Sequence, residues 1–182
     1  NGLNEVDTAR LAVVSRYLPG PAGARGLSAG FVTALYQDRR QRLWVGSFGG
    51  GIDLLPLAEP DSNTIHLGTA QGMPDPNVNA MLADEQGRVW ASTDNGLAMI
   101  DPATLAVRPL RRAEGVVFST YWTGSAARTD HGELLFGAAG GMTIVRPGEL
   151  RNWSYHPSLV VTDLQVGGKS LPVARYGGAA AA

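Results

Sequence analysis

An all-β chain assembled from repeated four-stranded units is what this sequence predicts, and three observations carry the prediction. A short text recurs, as GRVWASTDNGLAMID at 87–101, QRLWVGSFGGGIDLL at 41–55 and GELLFGAAGGMTIVR at 132–146, while NGLNEVD, the end of another copy, opens the chain. Aligned on the glycine before the apolar run, Gly2, Gly51, Gly96 and Gly141 are separated by 49, 45 and 45 residues. An internal period of this size marks a repeat architecture. The apolar segments are short, rich in Val, Leu, Ile and Trp, and bounded by Gly, Asp, Asn or Pro, which is how strands joined by hairpins read. Finally, no stretch of about twelve residues free of Gly and Pro holds a 3.6-residue apolar period, so helices have little room.

Each unit has the same order of parts. A first strand (FVTALYQD 31–38, NVNAMLAD 77–84) leads through a polar turn (RRQ 39–41, EQG 85–87) into RLWVGS 42–47 or RVWAST 88–93. A glycine-bearing turn follows, then GIDLL 51–55 or GLAMI 96–100, then a looser apolar segment such as NTIHL 63–67 or LAVRPL 105–110. Four antiparallel strands per unit of about 45 residues describe the blade of a β-propeller, whose twisted sheets stack face to face around an axis. Stacking covers both faces of a blade, so a strand such as GLAMI is apolar throughout instead of alternating. Gly87 and Gly132 supply positive φ in the first hairpin; Gly51, Gly96 and Gly141 start the third strand where backbones come close. Trp44 and Trp90 are expected to fill the gap between blades, with Leu135 at the matching place of the last unit and Phe136 as its substitute filler. Ala34, Ala80 and Ser125 suit the crowded first strands nearest the axis.

After Pro147 the repeat stops. The expected organisation is a partial propeller over 1–150, formed by the end of one blade and about three further blades. A linker and the first strands of a second β module occupy 151–176, where VVTDLQV (160–166) runs into Gly167–Gly168 as a hairpin would, and a disordered low-complexity tail fills 177–182. The start in mid-motif at Asn1 points to a piece of something longer. Three and a half blades do not close a ring of the usual size, so upstream blades or self-association are expected to cover the open faces and strand edges.

Composition narrows the partners. The chain has 182 residues, 44% of them hydrophobic and 17% charged, with a formal net charge of −1. That balance provides no field to attract nucleic acid or an anionic bilayer. Arg111–Arg112 and the Arg39, Arg40, Arg42 group read as solvated edges or turns. The absence of cysteine excludes disulfides, thiolate zinc sites and cysteine nucleophiles. Nothing approaches the roughly 18 apolar residues of a spanning helix, so no membrane contact is expected of this stretch.

The residues resemble a known family, the two-component regulator propellers of bacterial hybrid histidine kinases and related receptors. VNAMLADEQGRVWASTDNGLAMIDPATLAV (78–107) and VTALYQDRRQRLWVGSFGGGIDLL (32–55) look like successive copies of its repeat, and GSAARTDHGELLFGAAGGMTIVRPGEL (124–150) is similar to its final blade. HPSLVVTDLQVGGKSLP (156–172) resembles the start of the immunoglobulin-like "three Y" module that follows such blades. The chain departs from the pattern at Leu135, at Gln41 in place of the turn glycine, and in ending before distinctive tyrosines. The resemblance implies a periplasmic, extracytoplasmic sensor region of a membrane-anchored receptor. Its propeller receives a small-molecule signal, often carbohydrate-derived, and passes it through the sandwich module to a kinase, cyclase or transcription-factor output. Transmission through 147–158 is the corresponding expectation.

Catalytic spacing is scarce: the sequence has no HExxH, GxxxxGK[ST] or GxGxxG. His66, His131 and His156 lie in different units and suggest neither a metal site nor a base. Glycine runs at 49–51 and 140–141 precede no helix and cradle no phosphate, and Asp84, Asp94, Asp101 and Asp130 lack calcium-loop spacing. NWS at 152–154 is a chance glycosylation pattern. No metal and no cofactor is expected. Propellers take ligands at one mouth of the axial funnel, where the entry loops and second-to-third-strand turns carry Phe31, Phe48, Asn77, Asp94, Tyr121 and Trp122. These suit a sugar-stacking site or, alternatively, a cap on the core. The fragment thus reads as non-catalytic. Its rivals are a propeller enzyme of the lyase kind, using a funnel histidine or carboxylate, and an interaction scaffold of the WD-repeat kind.

Overall fold

A computed structural model of the chain describes residues 2–21, 26–57, 62–150 and 164–171. The chain divides into two compact units, Asn1–Glu149 and Leu150–Ala182. The first unit holds four successive antiparallel sheets with strands in chain order. Blade I is the hairpin β1 (Leu3–Asp7) and β2 (Ala12–Tyr17). Blade II comprises β3 (Val32–Gln37), β4 (Arg42–Ser47), β5 (Gly51–Pro56) and β6 (Ile65–Leu67); blade III comprises β7 (Val78–Ala83), β8 (Val89–Thr93), β9 (Gly96–Ile100) and β10 (Val107–Leu110). Blade IV comprises β11 (Tyr121–Arg128), β12 (Leu134–Ala138) and β13 (Gly141–Val145). The first strands β3, β7 and β11 pack on one another, which makes them the innermost. These are propeller blades, and the described residues form no closed barrel. In the second unit, β14 (Leu164–Val166) pairs with β15 (Lys169–Leu171) across Gly167 and Gly168 at φ 59° and 76°. Two consecutive positive-φ residues suit a two-residue hairpin turn. The expectations for residues 151–163 and 172–182, including the linker beyond Leu150, His156, NWS and the tail, lie outside the described residues.

The repeated text has a repeated geometry. In the first hairpin of blades II, III and IV, the N–H of Asp38, Asp84 and Thr129 donates to the carbonyl of Arg42, Arg88 and Glu133. The residue closing each turn has positive φ: Gln41 at 60°, Gly87 at 82° and Gly132 at 80°. Gln41 therefore accepts a left-handed conformation that costs a residue with a Cβ on the order of 1 kcal/mol. The third-strand glycines have a second reason. The N–H groups of Gly2, Gly51 and Gly96 donate to the carbonyls of Gly30, Pro76 and Ser119, in the loop entering the next blade, at 2.8, 2.8 and 2.6 Å. A Cβ on Gly96 would stand 2.5 Å from the Leu110 carbonyl oxygen of the fourth strand. Only glycine lets the third strand start so close to the fourth strand of its own blade, at φ 98°.

The opposite end of each blade carries a side-chain clasp. Asp38 accepts from the Trp44 indole N–H (2.9 Å) and from Arg42 Nε (2.7 Å), and Asp84 does the same for Trp90 (2.8 Å) and Arg88 (2.7 Å). The same arginines reach the following blade: Arg42 donates to the Pro102 carbonyl at 2.6 Å and Arg88 to the Pro147 carbonyl at 3.0 Å. Trp44 and Trp90 are fully buried, which places their N–H groups where a partner is obligatory. Trp44 packs with Ile52 and Leu54 against Met73, Val78, Val89 and Ala91 of the next blade. On the other face of blade II, Val45 and Leu55 pack with Leu27, near Leu3 and Tyr17. Two-sided cover explains why all five residues of β8 are buried, as in a sheet with no solvent face.

Blade IV corrects one expectation. Phe136 does not stand in for the tryptophan. Successive strand residues alternate faces, so Phe136 is at the Val45 and Ala91 position and packs on the blade III side, fully buried and edge-on to Tyr121. Leu135 holds the tryptophan position and is only half-buried.

Candidate ligand-binding mouth

The loops entering the innermost strands and the turns between second and third strands lie together at one end of the blades. Phe31 and Phe48 form one group there, and Asn77 and Asp94 belong to a second, while Tyr121 is buried and Trp122 exposed. Phe31 and Phe48 form an edge-to-face pair with ring centres 6.2 Å apart, and both are exposed. The second group is polar. Asp94, in the β8–β9 turn, accepts from Asn77 Nδ2 on one carboxylate oxygen and from Asn79 Nδ2 on the other, each at 2.9 Å. Asn79 is 2% exposed and its side-chain oxygen accepts from the Thr123 hydroxyl of the next blade at 3.1 Å. Thr120 Oγ1 donates to the Asp94 backbone carbonyl at 3.3 Å.

Tyr121 and Trp122 part company. Tyr121 is 2% exposed, stacked edge-on against Phe136, with its hydroxyl 2.7 Å from Thr143 Oγ1. Burial pushes its phenol above the usual value. Tyr121 is a core residue of the blade III–IV junction, not a lining residue of the mouth. Trp122 is 63% exposed.

A local break in the repeat places Trp122. In β3 and β7, one extra residue bulges against the partner strand, between Val32 and Ala34 and between Val78 and Ala80. These extra residues are Thr33, whose hydroxyl donates to the Val78 carbonyl at 2.5 Å, and Asn79. In β11, Tyr121 pairs with Ala138 and the next ladder pair is Ala126–Phe136, so residues 122–125 face Gly137 alone. Gly124 takes φ 72° within this wider bulge. Bulges re-aim side chains and favour functional rims. Asn79, Thr120 and Thr123 were not singled out in the sequence, although a lone Asn inside VNAMLA was a legible signal.

A second cluster tests for chemistry. Ser28 Oγ lies 2.7 Å from Asp53 Oδ1 and 2.8 Å from His66 Nδ1, and His66 Nδ1 lies 3.1 Å from Asp53 Oδ1. A serine nucleophile needs its base through one ring nitrogen and the orienting carboxylate through the other. Here Ser28 and Asp53 share Nδ1, while Nε2 faces Gly68, where a Cβ would sit 2.6 Å away. With the Ser28 N–H on Asp53 Oδ2 at 2.7 Å, the trio is a staple holding the loop before β3 to β5 and β6. Among the described residues, no group of three or more His, Cys, Asp or Glu could hold a metal ion.

Two cavities lie at the other end, between adjacent blades. One, of about 330 Å³, is lined by Glu85, Gln86, His131, Glu133, Arg146 and Glu149, among others. The other, of about 150 Å³, is lined by Tyr36, Asp38, Arg39, Arg40, Arg42 and Pro102, among others. They occupy the same inter-blade position, one rimmed by carboxylates and the other by arginines.

Comparison with known proteins agrees with this geometry. Residues 26–49 and 72–95, in blades II and III, each match the two component regulator propeller model. It is similar, 20% identical with TM-score 0.63, to a structure of the extracellular domain assigned to the hybrid two component system BT4673 from B. thetaiotaomicron, over 81% of this chain and 20% of that one. A second structure of the BT4673 extracellular domain gives TM-score 0.55 at 21% identity, over 66% of this chain and 17% of that one. Histidine kinase P4 of Formosa agariphila is 20% identical over 84% of this chain and 14% of its own length. The chain thus spans a small part of each relative.

Proposed function

We propose that this chain is the non-catalytic ligand-sensing region of an extracytoplasmic receptor of the bacterial two-component kind, located in the periplasm. The hairpin at 164–171 is then the opening of the three-Y module that carries the signal to a membrane-anchored output. The observation that carries the reading is the pair of regulator propeller repeats, supported by the likeness to the extracellular domain of BT4673. The mouth supplies the receiving surface: Trp122, Phe31 and Phe48 present exposed aromatic faces, and Asp94, Asn77 and Thr123 hold polar groups already oriented by one another. Preorganised groups bind without a further ordering cost. The signal is a small molecule of saccharide size, and further blades or a second copy of the chain cover the open faces. The test is a calorimetric screen of soluble mono- and oligosaccharides against the chain and its Trp122→Ala variant. The expected result is a ligand whose affinity falls at least tenfold in the variant while the melting temperature holds. Binding that is indifferent to Trp122 and Phe31 alike contradicts a receiving site at this mouth.

A further inference from the structure

The mouth carries a carboxylate that forms no ion pair among the described residues. Each oxygen of the Asp94 carboxylate is held by a neutral amide, from Asn77 and Asn79. Among the described residues, no Arg, Lys or His nitrogen forms an ion pair with it. Asp38, Asp53, Asp84 and Glu133, by contrast, each sit against a basic side chain. The two amide donors orient the carboxylate oxygens and bring no positive charge to them.

The neighbouring aromatic is set by the same network. Trp122 lies between Thr120, bound to the Asp94 carbonyl, and Thr123, bound to Asn79, and the residue is 63% exposed. The residues that carry it into the mouth are those by which β11 departs from β3 and β7. An oriented carboxylate and an exposed indole at one mouth are a pairing that recognises a cation on a small organic scaffold. The carboxylate attracts the charge and the ring attracts it again through its quadrupole. A neutral hydroxyl would satisfy hydrogen bonds there but leave the charge unanswered. From the oriented Asp94 carboxylate and the exposed Trp122 ring we infer that the mouth binds a ligand carrying a protonated amine. This rests on the receiving role given to the mouth above.

The experiment isolates the charge on one scaffold. Glucosamine oligomers and their N-acetylated counterparts of equal length are titrated by calorimetry into the chain, into Asp94→Asn and into Trp122→Leu. The amine form is expected to bind at least tenfold more tightly than the acetylated form, and the preference is expected to collapse at high salt as the ion pair is screened. Asp94→Asn should erase the preference. Because that variant also disturbs the Asn77–Asn79 network, Trp122→Leu, which leaves the network intact, provides the independent check with an expected loss of about fivefold. Equal or tighter binding of the acetylated oligomers overturns the cationic ligand and leaves the mouth reading standing. No binding of the amine form up to about 10 mM also overturns it. Preferential amine binding that both variants retain places the site elsewhere and overturns the mouth reading too.

Discussion

Blades III and IV are built from the same text and end in different states. In blade III, GRVWAST places Arg88 and Trp90 on Asp84, both faces of β8 are buried, and Arg88 continues into blade IV through the Pro147 carbonyl. In blade IV, Thr129, Glu133 and Leu135 occupy the places of that aspartate, arginine and tryptophan, and Glu133 turns instead to Arg146 of its own blade at 2.8 Å. Met142 and Ile144, on the same face as Leu135, are 55% and 49% exposed. In blades II and III the clasp reaches the next blade, and in blade IV it is replaced. Sequence differences inside one repeat, more than the repeat itself, tell which faces are covered.

The largest effect should come from the tryptophan position. Trp90→Ala empties a fully buried site and is expected to destabilise the chain by about 3–5 kcal/mol, against about 1 kcal/mol for Leu135→Ala, read as urea midpoints. Equal losses would mean that the two faces are equally packed. Next comes the acceptor. Asp84→Ala strands the Trp90 N–H and the Arg88 guanidinium, for an expected cost of about 3 kcal/mol, whereas Thr129→Ala removes one backbone contact, about 1 kcal/mol.

The clasp also gives the chain an acid limb. Burial raises the Asp38 carboxyl, but hydrogen bonds from the Trp44 indole, from the Arg42 backbone and side chain and from the Arg40 backbone outweigh it and hold Asp38 below the usual carboxylate range. Because the folded value is the lower one, this contribution is complete above the ordinary carboxylate value near pH 4 and is lost as pH falls through the folded value. Asp38→Asn should flatten that part of a stability profile measured between about pH 5 and 2; an unchanged slope would remove Asp38 from the account. The smallest effect expected is Gln41→Gly, a gain of about 0.5–1 kcal/mol from relieving the left-handed turn residue, which thermal unfolding resolves.

Most of the fold was legible because it repeats. The period, the third-strand glycines and the buried tryptophans each followed from spacing and residue type, and β3–β10 fall within a residue or two of the segments read from the text. The clasp was less visible, since D-x3-R-x-W joins a turn residue to a strand residue whose contact depends on hairpin geometry. Phe136 lies in the other gap from its neighbour Leu135, because strand parity and not side-chain size sets the face. In the mouth, position was readable and orientation was not. Tyr121 and Trp122 are adjacent letters, yet the three-residue excess between Tyr121 and Ser125 turns one into the core and the other outward. Hydrogen bonds among Asn79, Asp94 and Thr123 join residues up to 44 apart, a separation that no local pattern reveals.

Amide hydrogen exchange, resolved by strand, bears most directly on the idea that each blade is held by the face of its neighbour. β8 and β9, covered on both sides, should exchange slowest, and β13, whose Met142 and Ile144 face outward, should exchange at least a hundredfold faster. Protection in β13 equal to that in β8 would contradict it, because a blade with one open face would then be as firmly held as a blade with none.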